Sequence, residues 1–240
     1  MKLYRVLIRA KTASFRYPNF ISSNQLSLKA VPYTTIAGLV ASATGDESLI
    51  DFKFSYIFRY QASYVDMETT YRFKQEKNSV SNINEKPPAQ YRREILYDCY
   101  LTLYLDDKDI AKSFKSPIFQ LVMGRSGDLA RVVGISEVAV VKSNHTLLNG
   151  TIVPFNEYKS MGEIYAMPKY FDYSNLVREP REVQPFLIND GVGNFIYNPK
   201  NTKEEFDLNN WKFKKIKNDI EADSFFDKEL NTPILLRKLC

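Results

Sequence analysis

Residues 31–45 have the sequence VPYTTIAGLVASATG, which predicts a short helix. Pro32 followed by Thr34 or Thr35 is typical of a helix start, and Gly45 is typical of a helix end. We expect the helix over residues 36–44. Much of its surface is made of small side chains, which should let it lie close against a sheet: Ala37, Gly38, Ala41, Ser42 and Ala43.

Strand patterns flank this helix on both sides. Residues 2–10 alternate between an apolar face and a face that carries Arg5, Leu7 and Arg9. After the helix, runs rich in Tyr, Phe, Ile and Val are typical of strands, and a helix is expected before the last of them. In chain order, the predictions are strands at 2–10, 52–60, 63–73 and 94–105, a helix from Asp106 or Asp107 to about Lys115, and a strand at 132–141.

The order strand, helix, two strands, helix, strand is that of the split βαβ unit, a ferredoxin-like sheet with helices on one face. The predicted fold class is therefore α+β. We assign the ferredoxin-like domain to residues 1–144, with an insertion at about 74–93 where the strand pattern dissolves into Asn, Ser, Lys and Pro. Residues 145–240 show short strand patterns between turn signals, which predict a smaller, β-rich C-terminal domain.

The charge of the 240-residue chain is +5 and is concentrated in its N-terminal part. Residues 1–45 contain six basic and no acidic side chains. This asymmetry favours a polyanionic partner, although a basic fold with solvated lysines fits the charge equally well. Two cysteines and one histidine exclude a disulfide scaffold and a structural zinc site. Without a signal peptide or an apolar stretch of membrane-spanning length, we expect a soluble, cytoplasmic protein that does not bind membranes.

Sequence motifs of common enzymes are missing. No P-loop, dinucleotide fingerprint, HExxH or Gly-x-Ser-x-Gly occurs, so no cofactor or metal is expected. Cys99 lies in the middle of a predicted strand, where a buried, inert thiol is the common case. His145 is the single imidazole available for acid–base chemistry near neutral pH, in a loop where most histidines are ordinary surface residues.

Three short segments have the chemistry of nucleic-acid contacts. Residues 11–17 interleave cations, hydroxyls and aromatic rings, which hold single-stranded backbones and stack on bases. The expected helix start offers free N–H groups to a phosphate, and the Gly-Arg-Ser-Gly turn at 124–127 could form an anion-binding nest. An ordinary loop, helix end and turn are the competing interpretations. The candidate residues are Lys11, Ser14, Phe15, Arg16, Thr34, Thr35, Gly124, Arg125 and Ser126.

The insertion and its flanks form a fourth candidate. Two predicted strands border it, so it could project as a β-hairpin with a basic stem. The competing interpretation is a disordered, solvated loop, and both hold if the arm orders on RNA. Two acidic residues accompany six cations, which are Arg72, Lys74, Lys77, Lys86, Arg92 and Arg93.

Three of these segments, in this order, resemble the Cas-five family of CRISPR-associated proteins in the RAMP superfamily. The strand that runs into Thr12–Arg16 is the first. The second is Val31–Gly45, which is similar to the family's Pro-Pro-Ser/Thr-Thr-x-x-Gly-Leu-Leu-x-Ala-x-x-Gly helix. The third, Met123–Ala130, is similar to its Leu-Gly-Arg-Ser-x-x-x-Ala turn. The resemblance covers most of residues 1–141 and none of the C-terminal hundred.

The resemblance implies a ferredoxin-like (RRM/RAMP) domain with a protruding β-hairpin thumb and a smaller C-terminal β domain. It also implies a subunit of the type I Cascade complex, with subtype I-B indicated by length and motif style. Such a subunit binds the 5′ handle of CRISPR RNA, caps the filament of backbone subunits and docks the large subunit, so that target DNA is reached only indirectly. Lys11, Ser14, Arg16, the Thr34/Thr35 helix end and the Arg125/Ser126 turn would hold the handle, with residues 74–93 as the thumb.

One branch of the family resembles a metal-independent ribonuclease that trims precursor CRISPR RNA with Tyr, Lys and His. In that branch the Lys and His are adjacent, whereas Asn144 precedes His145 here. We therefore expect a non-catalytic subunit. The alternative is an endoribonuclease that uses His145 as acid or base, and a third possibility is a basic α+β protein that binds an acidic partner.

Overall fold

The computed structural model describes residues 1–18, 24–71, 73–76, 79–82, 89–143, 146–148, 150–155, 162–174, 177–189, 195–197, 203–207, 212–216 and 223–240. The helices are α1 (Tyr33–Thr44) and α2 (Lys108–Ser113). The strands are β1 (Lys2–Ala13), β2 (Asn24–Gln25), β3 (Lys53–Arg59), β4 (Ala62–Thr70), β5 (Phe73–Glu76), β6 (Ser79–Asn82), β7 (Ala89–Leu105), β8 (Ala130–Lys142), β9 (Thr146–Leu148), β10 (Thr151–Pro154), β11 (Glu163–Met167), β12 (Tyr170–Asp172), β13 (Glu179–Arg181), β14 (Gln184–Asn189), β15 (Phe195–Tyr197), β16 (Lys203–Asp207), β17 (Lys212–Ile216), β18 (Asp223–Asp227) and β19 (Thr232–Lys238). Within the described part of the chain, no helix is long and apolar enough to cross a membrane.

Four strands of the central sheet lie in the order β8–β1–β7–β3, and each neighbouring pair is antiparallel. Tyr4 of β1 and Phe54 of β3 face the same residue of β7, Leu105, from its two sides. In sequence, α1 lies between β1 and β3, and α2 lies between β7 and β8. The strands and helices predicted for this part of the chain are confirmed, although α1 begins at Tyr33 rather than at Ile36 and β7 begins at Ala89 rather than at Glu94.

Capping residues explain where α1 ends and where α2 begins. Gly45 ends α1 with a φ of 76°, the left-handed conformation that glycine adopts without strain. Asp107 caps α2, because its carboxylate accepts hydrogen bonds from the backbone N–H of Asp109 and Ile110 at 2.7 and 2.9 Å. Both helix ends follow the predicted capping pattern.

The prediction that small residues bring α1 close to the sheet is wrong. The buried residues of α1 are mostly its larger ones, because these remove more apolar surface from water: Tyr33, Ile36, Leu39, Val40 and Ala43. The small residues Ala37, Gly38, Ala41 and Ser42 instead line a surface cleft, together with Phe119 and residues 170–173.

Strands from the end of the chain complete the central sheet. β18 pairs with β8, and β19 pairs with both β18 and β3. Because β1 also pairs with β7, antiparallel pairing runs from β1 through β8, β18, β19, β3 and β7 back to β1. The strands β18 and β19, which follow the predicted domain boundary at residue 144, therefore share a sheet with β1. The boundary itself stays a prediction.

The two faces of β1 pack in different cores. Val6, Ile8 and Ala10 belong to the main core, which also contains Ile36 of α1, Phe114 after α2, and residues of the three-stranded sheet β10–β14–β11. A smaller core lies on the other face of β1, where the side chains come from β1, β7, β8, β18 and β19: Leu3, Tyr104, Val138, Val140, Phe225, Ile234 and Leu236. Of the other strands, β2 pairs in parallel with β7, and three separate pairs are β12–β13, β9–β15 and β16–β17.

An antiparallel arm extends from the central sheet where the insertion is predicted. β4 pairs with the first half of β7, from Ala62 opposite Tyr97 to Thr70 opposite Ala89, and β5 pairs with β6 farther along. Nearly all of β4 is exposed. Of the predicted thumb cations, Arg72, Lys77 and Lys86 lie outside the described residues, and Lys74 lies in β5. That this arm serves as a thumb stays a prediction.

Candidate nucleic-acid interface

The end of β1 packs against the turn at residues 124–128. The backbone N–H of Ser14 donates to the carbonyl of Met123 at 3.3 Å, and its hydroxyl donates to the carbonyl of Glu94 in β7 at 3.1 Å. Gly124 has a φ of 111°, and a Cβ atom at this position would lie 2.2 Å from the carbonyl oxygen of Ser14. The first and third segments of the family resemblance therefore meet, and this contact requires a glycine.

Arg125 lies between two carboxylates. Its Nε and Nη2 donate to the two oxygens of Asp128 at 3.0 and 2.9 Å, and its Nη1 donates to Glu68 of β4 at 2.5 Å. The hydrogen bonds to Asp128 are the largest cause of a raised Arg125 pKa. The Arg125 side chain is 28% exposed, so one edge reaches the surface while its orientation is fixed from two sides.

The same network extends to β1 and β7. Asp128 is fully buried and accepts a hydrogen bond from the hydroxyl of Thr12 at 2.6 Å. Burial opposes ionisation of Asp128, but the hydrogen bonds from Arg125 and Thr12 outweigh it and lower the pKa. Glu68 also accepts from Arg93 at 2.8 Å, and hydrogen bonds from Arg93 and Arg125 lower its pKa despite partial burial. We call these five residues the Arg125 cluster.

Of the other candidates in the first segment, two are exposed and one is buried. The Lys11 side chain is 65% exposed, and Arg16 is exposed with its Nη2 3.4 Å from Gln25 Oε1. Phe15 is buried and packs edge to face on Phe58, with ring centroids 5.5 Å apart. In this conformation the ring of Phe15 belongs to the core and offers no face to a base.

The predicted helix start lies at a different place. Thr34 lines the cleft beside α1, together with Phe119 and aromatic residues of 170–173, and Thr35 lies in the same first turn of α1. The cap residue is Pro32, which has no side-chain hydrogen bond to the helix. No described contact joins Thr34 or Thr35 to the Arg125 cluster. Their contact with RNA stays a prediction of the resemblance alone.

Two of the predicted thumb cations are described at the base of the arm. The Arg93 side chain is only 11% exposed because it pairs with Glu68, whereas Arg92 is exposed. At the tip of the turn, Ser126 is also exposed. The exposed candidates that stand within four residues of a member of the Arg125 cluster in sequence are therefore Lys11, Arg16, Arg92 and Ser126.

Sequence reasoning missed both carboxylates that hold Arg125. Asp128 stands three residues after Arg125, a spacing that could have suggested a local pair across the turn. Glu68 is 57 residues away in sequence, and nothing local connects it to Arg125. Only the pairing of β4 with β7 brings it there, so no sequence signal could have found it.

Of the two groups considered for catalysis, the structure describes Cys99 but not His145. Burial raises the pKa of the Cys99 thiol to about 12, in agreement with the predicted inert thiol. His145 lies outside the described residues. Among the described residues, no three His, Cys, Asp or Glu side chains are grouped so that they could hold a metal ion.

Neither a protein-family model nor a curated protein matches this chain. Solved structures do. A chain of the Type III-B Cmr-beta complex bound to cognate target RNA is 13% identical, with 98% of this chain and 99% of that chain covered and a TM-score of 0.57. The same complex with AMPPnP also bound gives 12% identity, coverage of 98% and 99%, and a TM-score of 0.56.

A chain of a CRISPR RNA-guided surveillance complex is 15% identical over 77% of this chain and 90% of that one, but its TM-score of 0.49 is too low to carry weight. At these identities the similarity to Cmr-beta shows the fold. The described chain is therefore a sheet-dominated protein with few helices, and it shares this architecture with a chain of a CRISPR-associated complex.

Proposed function

We propose that this protein is a non-catalytic, RNA-binding subunit of a type I CRISPR Cascade complex of subtype I-B. In this proposal its ferredoxin-like RAMP domain binds the 5′ handle of CRISPR RNA. The subunit caps the filament of backbone subunits and docks the large subunit, and it needs no cofactor. Sequence reading is left to base pairing between guide and target, so the protein holds the RNA by shape and charge.

Two features of the fold support this proposal. The antiparallel order β8–β1–β7–β3, with α1 and α2 between the strands of each half, is the arrangement expected of a split βαβ unit. The same fold occurs in a chain of a complex that was solved with cognate target RNA bound. Both features are consistent with the resemblance to the Cas-five family, which rests on three segments in a fixed order.

The observation that carries the proposal is the meeting of separate segments at the Arg125 cluster. Thr12 of β1 and Glu68 of β4 contact the turn that carries Arg125, and Arg93 of β7 joins them through its hydrogen bond to Glu68. The cluster itself has balanced charge, since two arginines face two carboxylates. Its proposed role is to fix the turn, while the exposed Lys11, Arg16, Arg92 and Ser126 around it contact phosphates and sugars.

The arm supports the proposed contact with a neighbouring backbone subunit. Val65 and Met67 of β4 are 63% and 61% exposed, and among the described strands β4 pairs with β7 alone. An exposed apolar strand at the edge of a sheet is unfavourable in an isolated protein and is usually covered. In the proposed complex, the neighbouring subunit covers it.

The test uses the purified full chain with labelled precursor CRISPR RNA in EDTA, followed by binding measurements across a range of salt concentrations. We expect no cleavage, a preference for handle RNA over unrelated RNA, and weaker binding at higher salt because phosphate contacts release counterions. Lys11→Ala should weaken binding and make it less dependent on salt. The matched control is Lys2→Ala, at the opposite end of β1, where the lysine is 72% exposed and should not affect binding.

Each part of the proposal has its own contrary result. Specific cleavage in EDTA that His145→Ala abolishes would establish the endoribonuclease instead. Equal binding of handle and unrelated RNA, in the presence as well as the absence of the backbone subunit, would leave only a basic protein with some other acidic partner.

A further inference from the structure

The polar face of β1 continues past the smaller core into an exposed patch of cations and aromatic rings. We call this the sheet-face patch; it consists of Arg9, Lys11, Tyr97, Tyr100 and Arg131, with Asp98 among them. Arg9 and Lys11 lie on β1, Tyr97 and Tyr100 on β7, and Arg131 on β8. These are three adjacent strands of the central sheet.

Cations and rings are layered within the patch. The guanidinium carbon of Arg9 lies 4.9 Å from the centre of the Tyr100 ring, and the ammonium of Lys11 lies 4.5 Å from the centre of the Tyr97 ring. Arg9 also donates to Asp98 at 2.7 and 3.1 Å, which fixes its guanidinium plane. Tyr100 remains 44% exposed, although it is a strand residue in the middle of the sheet.

The charge of the patch is unbalanced. Arg9 stands directly opposite Arg131 in the pairing of β1 with β8, and like charges at such positions repel. Asp98 is the carboxylate that contacts Arg9 and Lys11, so three cations share one negative charge. No described residue forms a hydrogen bond or ion pair with the exposed guanidinium of Arg131. An anion between these side chains would remove the repulsion.

The patch also has room for a ligand. Arg9, Lys11 and Arg131 line a shallow cleft of about 490 Å³, whose other walls are Gln120 and Leu129–Ala130. Residues 128–131 connect this cleft directly to the Arg125 cluster, and the Thr12–Asp128 hydrogen bond joins the two surfaces from the side of β1. An RNA strand held at the turn can therefore continue across the cleft.

We propose that the sheet-face patch is a second RNA-contacting surface, on which an unpaired base stacks against the Arg9–Tyr100 pair while Arg131 and Lys11 bind the adjacent phosphates. The alternation of planar groups and surplus positive charge fits single-stranded RNA, because each base offers a stacking face and each linkage a negative charge. This inference rests on the proposed RNA-binding function and extends its surface from Lys11, which both share, to Arg9, Tyr100 and Arg131.

The experiment measures binding of the full chain to a fluorescent single-stranded handle RNA by anisotropy. Tyr100→Ala should weaken binding roughly 10-fold without changing its salt dependence, because a stacking contact involves no phosphate. The control is Leu230→Ala: Leu230 is 44% exposed, as Tyr100 is, but it lies between β18 and β19 and lines neither the cleft of the patch nor the cleft beside Thr34. It should bind as the wild type does.

Two further variants separate stacking and charge from a loss of folding. Tyr100→Phe keeps the ring and should keep wild-type affinity, whereas Arg131→Gln should lower the slope of log affinity against log salt by about 0.7. Arg131 is exposed, so this variant folds even if Tyr100→Ala does not. Wild-type affinity for both Tyr100→Ala and Arg131→Gln, in a protein that binds handle RNA, would overturn the patch and leave the proposed function intact.

Other results would separate the two proposals in the opposite direction. Binding that depends on Tyr100 and Arg131 but shows no preference for handle RNA would support the patch and contradict the handle-binding function. Absence of any RNA binding by the wild-type chain, alone and with the backbone subunit, would overturn both proposals.

Discussion

Two arginine–carboxylate pairs in this protein have nearly the same shortest N···O distance and very different surroundings. Arg5 Nη1 lies 2.8 Å from Asp227, and Arg125 Nη2 lies 2.9 Å from Asp128. The Arg5 and Asp227 side chains are 10% and 1% exposed, whereas Arg125 is 28% exposed and its second partner, Glu68, is 31% exposed. The first pair is closed to solvent, and the second opens onto the surface.

The difference lies in what each pair connects. Arg5 and Asp227 are 222 residues apart, and their contact ties β1 to β18 beside the smaller core, with the hydroxyl of Tyr104 as a third member at 2.8 Å. Arg125 and Asp128 are three residues apart and shape a turn. The same chemistry therefore closes the sheet in one place and presents a rigid turn to solvent in the other.

The largest effect should follow from breaking the closed pair. Asp227→Asn removes the buried negative charge and, among the described residues, leaves Arg5 with the exposed Glu229 as its ionic partner. We expect a loss of about 3–5 kcal/mol in the free energy of unfolding, measured by urea denaturation, because a buried charge is left without compensation.

The control for that variant is Glu229→Gln. Glu229 is 65% exposed, and exposed ion pairs contribute at most about 1 kcal/mol. Equal destabilisation by the two substitutions would show that Asp227 has no special role in closing the sheet.

Acid should remove part of the same stabilisation. Burial opposes ionisation of Asp227, but hydrogen bonds from Tyr104 and Arg5 outweigh it, so the pKa of Asp227 lies below its usual value. A depressed carboxyl pKa stabilises the fold at pH values above the unfolded pKa, about 3.9, and that stabilisation is lost as the pH falls through the folded pKa.

The measurement is the free energy of unfolding from pH 7 down to pH 3 for the wild type and for Asp227→Asn. The difference between the two curves should be largest at neutral pH and should shrink below about pH 4. Curves that stay parallel over this range would contradict the assigned charge state of Asp227.

A smaller effect is expected from the backbone of the open turn. Gly124→Ala places a Cβ atom 2.2 Å from the Ser14 carbonyl at a φ of 111°, which should cost about 1–3 kcal/mol of stability and disturb RNA binding at the turn. Gly127→Ala is the matched control, since a Cβ atom there meets nothing within 4 Å. If both variants behave alike in stability and handle RNA binding, the turn is not held by its contact with β1.

The two pairs also show which features of the structure can be predicted from the sequence. The capping residues Asp107 and Gly45 act locally, and so both helices could be predicted from neighbouring residues. The Gly-Arg-Ser turn could be predicted as a candidate for the same reason. Its actual partners, Thr12 and Glu68, come from distant strands, and only strand pairing brings them to Arg125.

Burial on a strand face was harder to infer. Phe15 fits a base-stacking pattern in sequence, yet the structure places it in the main core, because the alternation that defines β1 ends at Ala13 and no period remains to assign a face. Tyr100 shows the reverse, since it lies in an apolar strand and remains exposed. Whether Phe15 or Tyr100 is buried depends in both cases on segments that are remote in sequence.

The smallest change in stability and the most informative change in binding should come from Glu68→Gln. This substitution removes one carboxylate from the open pair, while Asp128 still holds Arg125 through two hydrogen bonds. Because Glu68 is partly exposed, the free energy of unfolding should fall by less than about 1 kcal/mol. The affinity for handle RNA should rise several-fold at low salt, since the cluster then has two arginines against the single carboxylate of Asp128 and carries a net positive charge beside the proposed phosphate contacts. The corresponding change beside the closed pair, Glu229→Gln at the exposed second partner of Arg5, should leave RNA affinity unchanged. Unchanged affinity in Glu68→Gln would mean that the Arg125 turn is structural, like the Arg5 pair, and that the handle binds elsewhere.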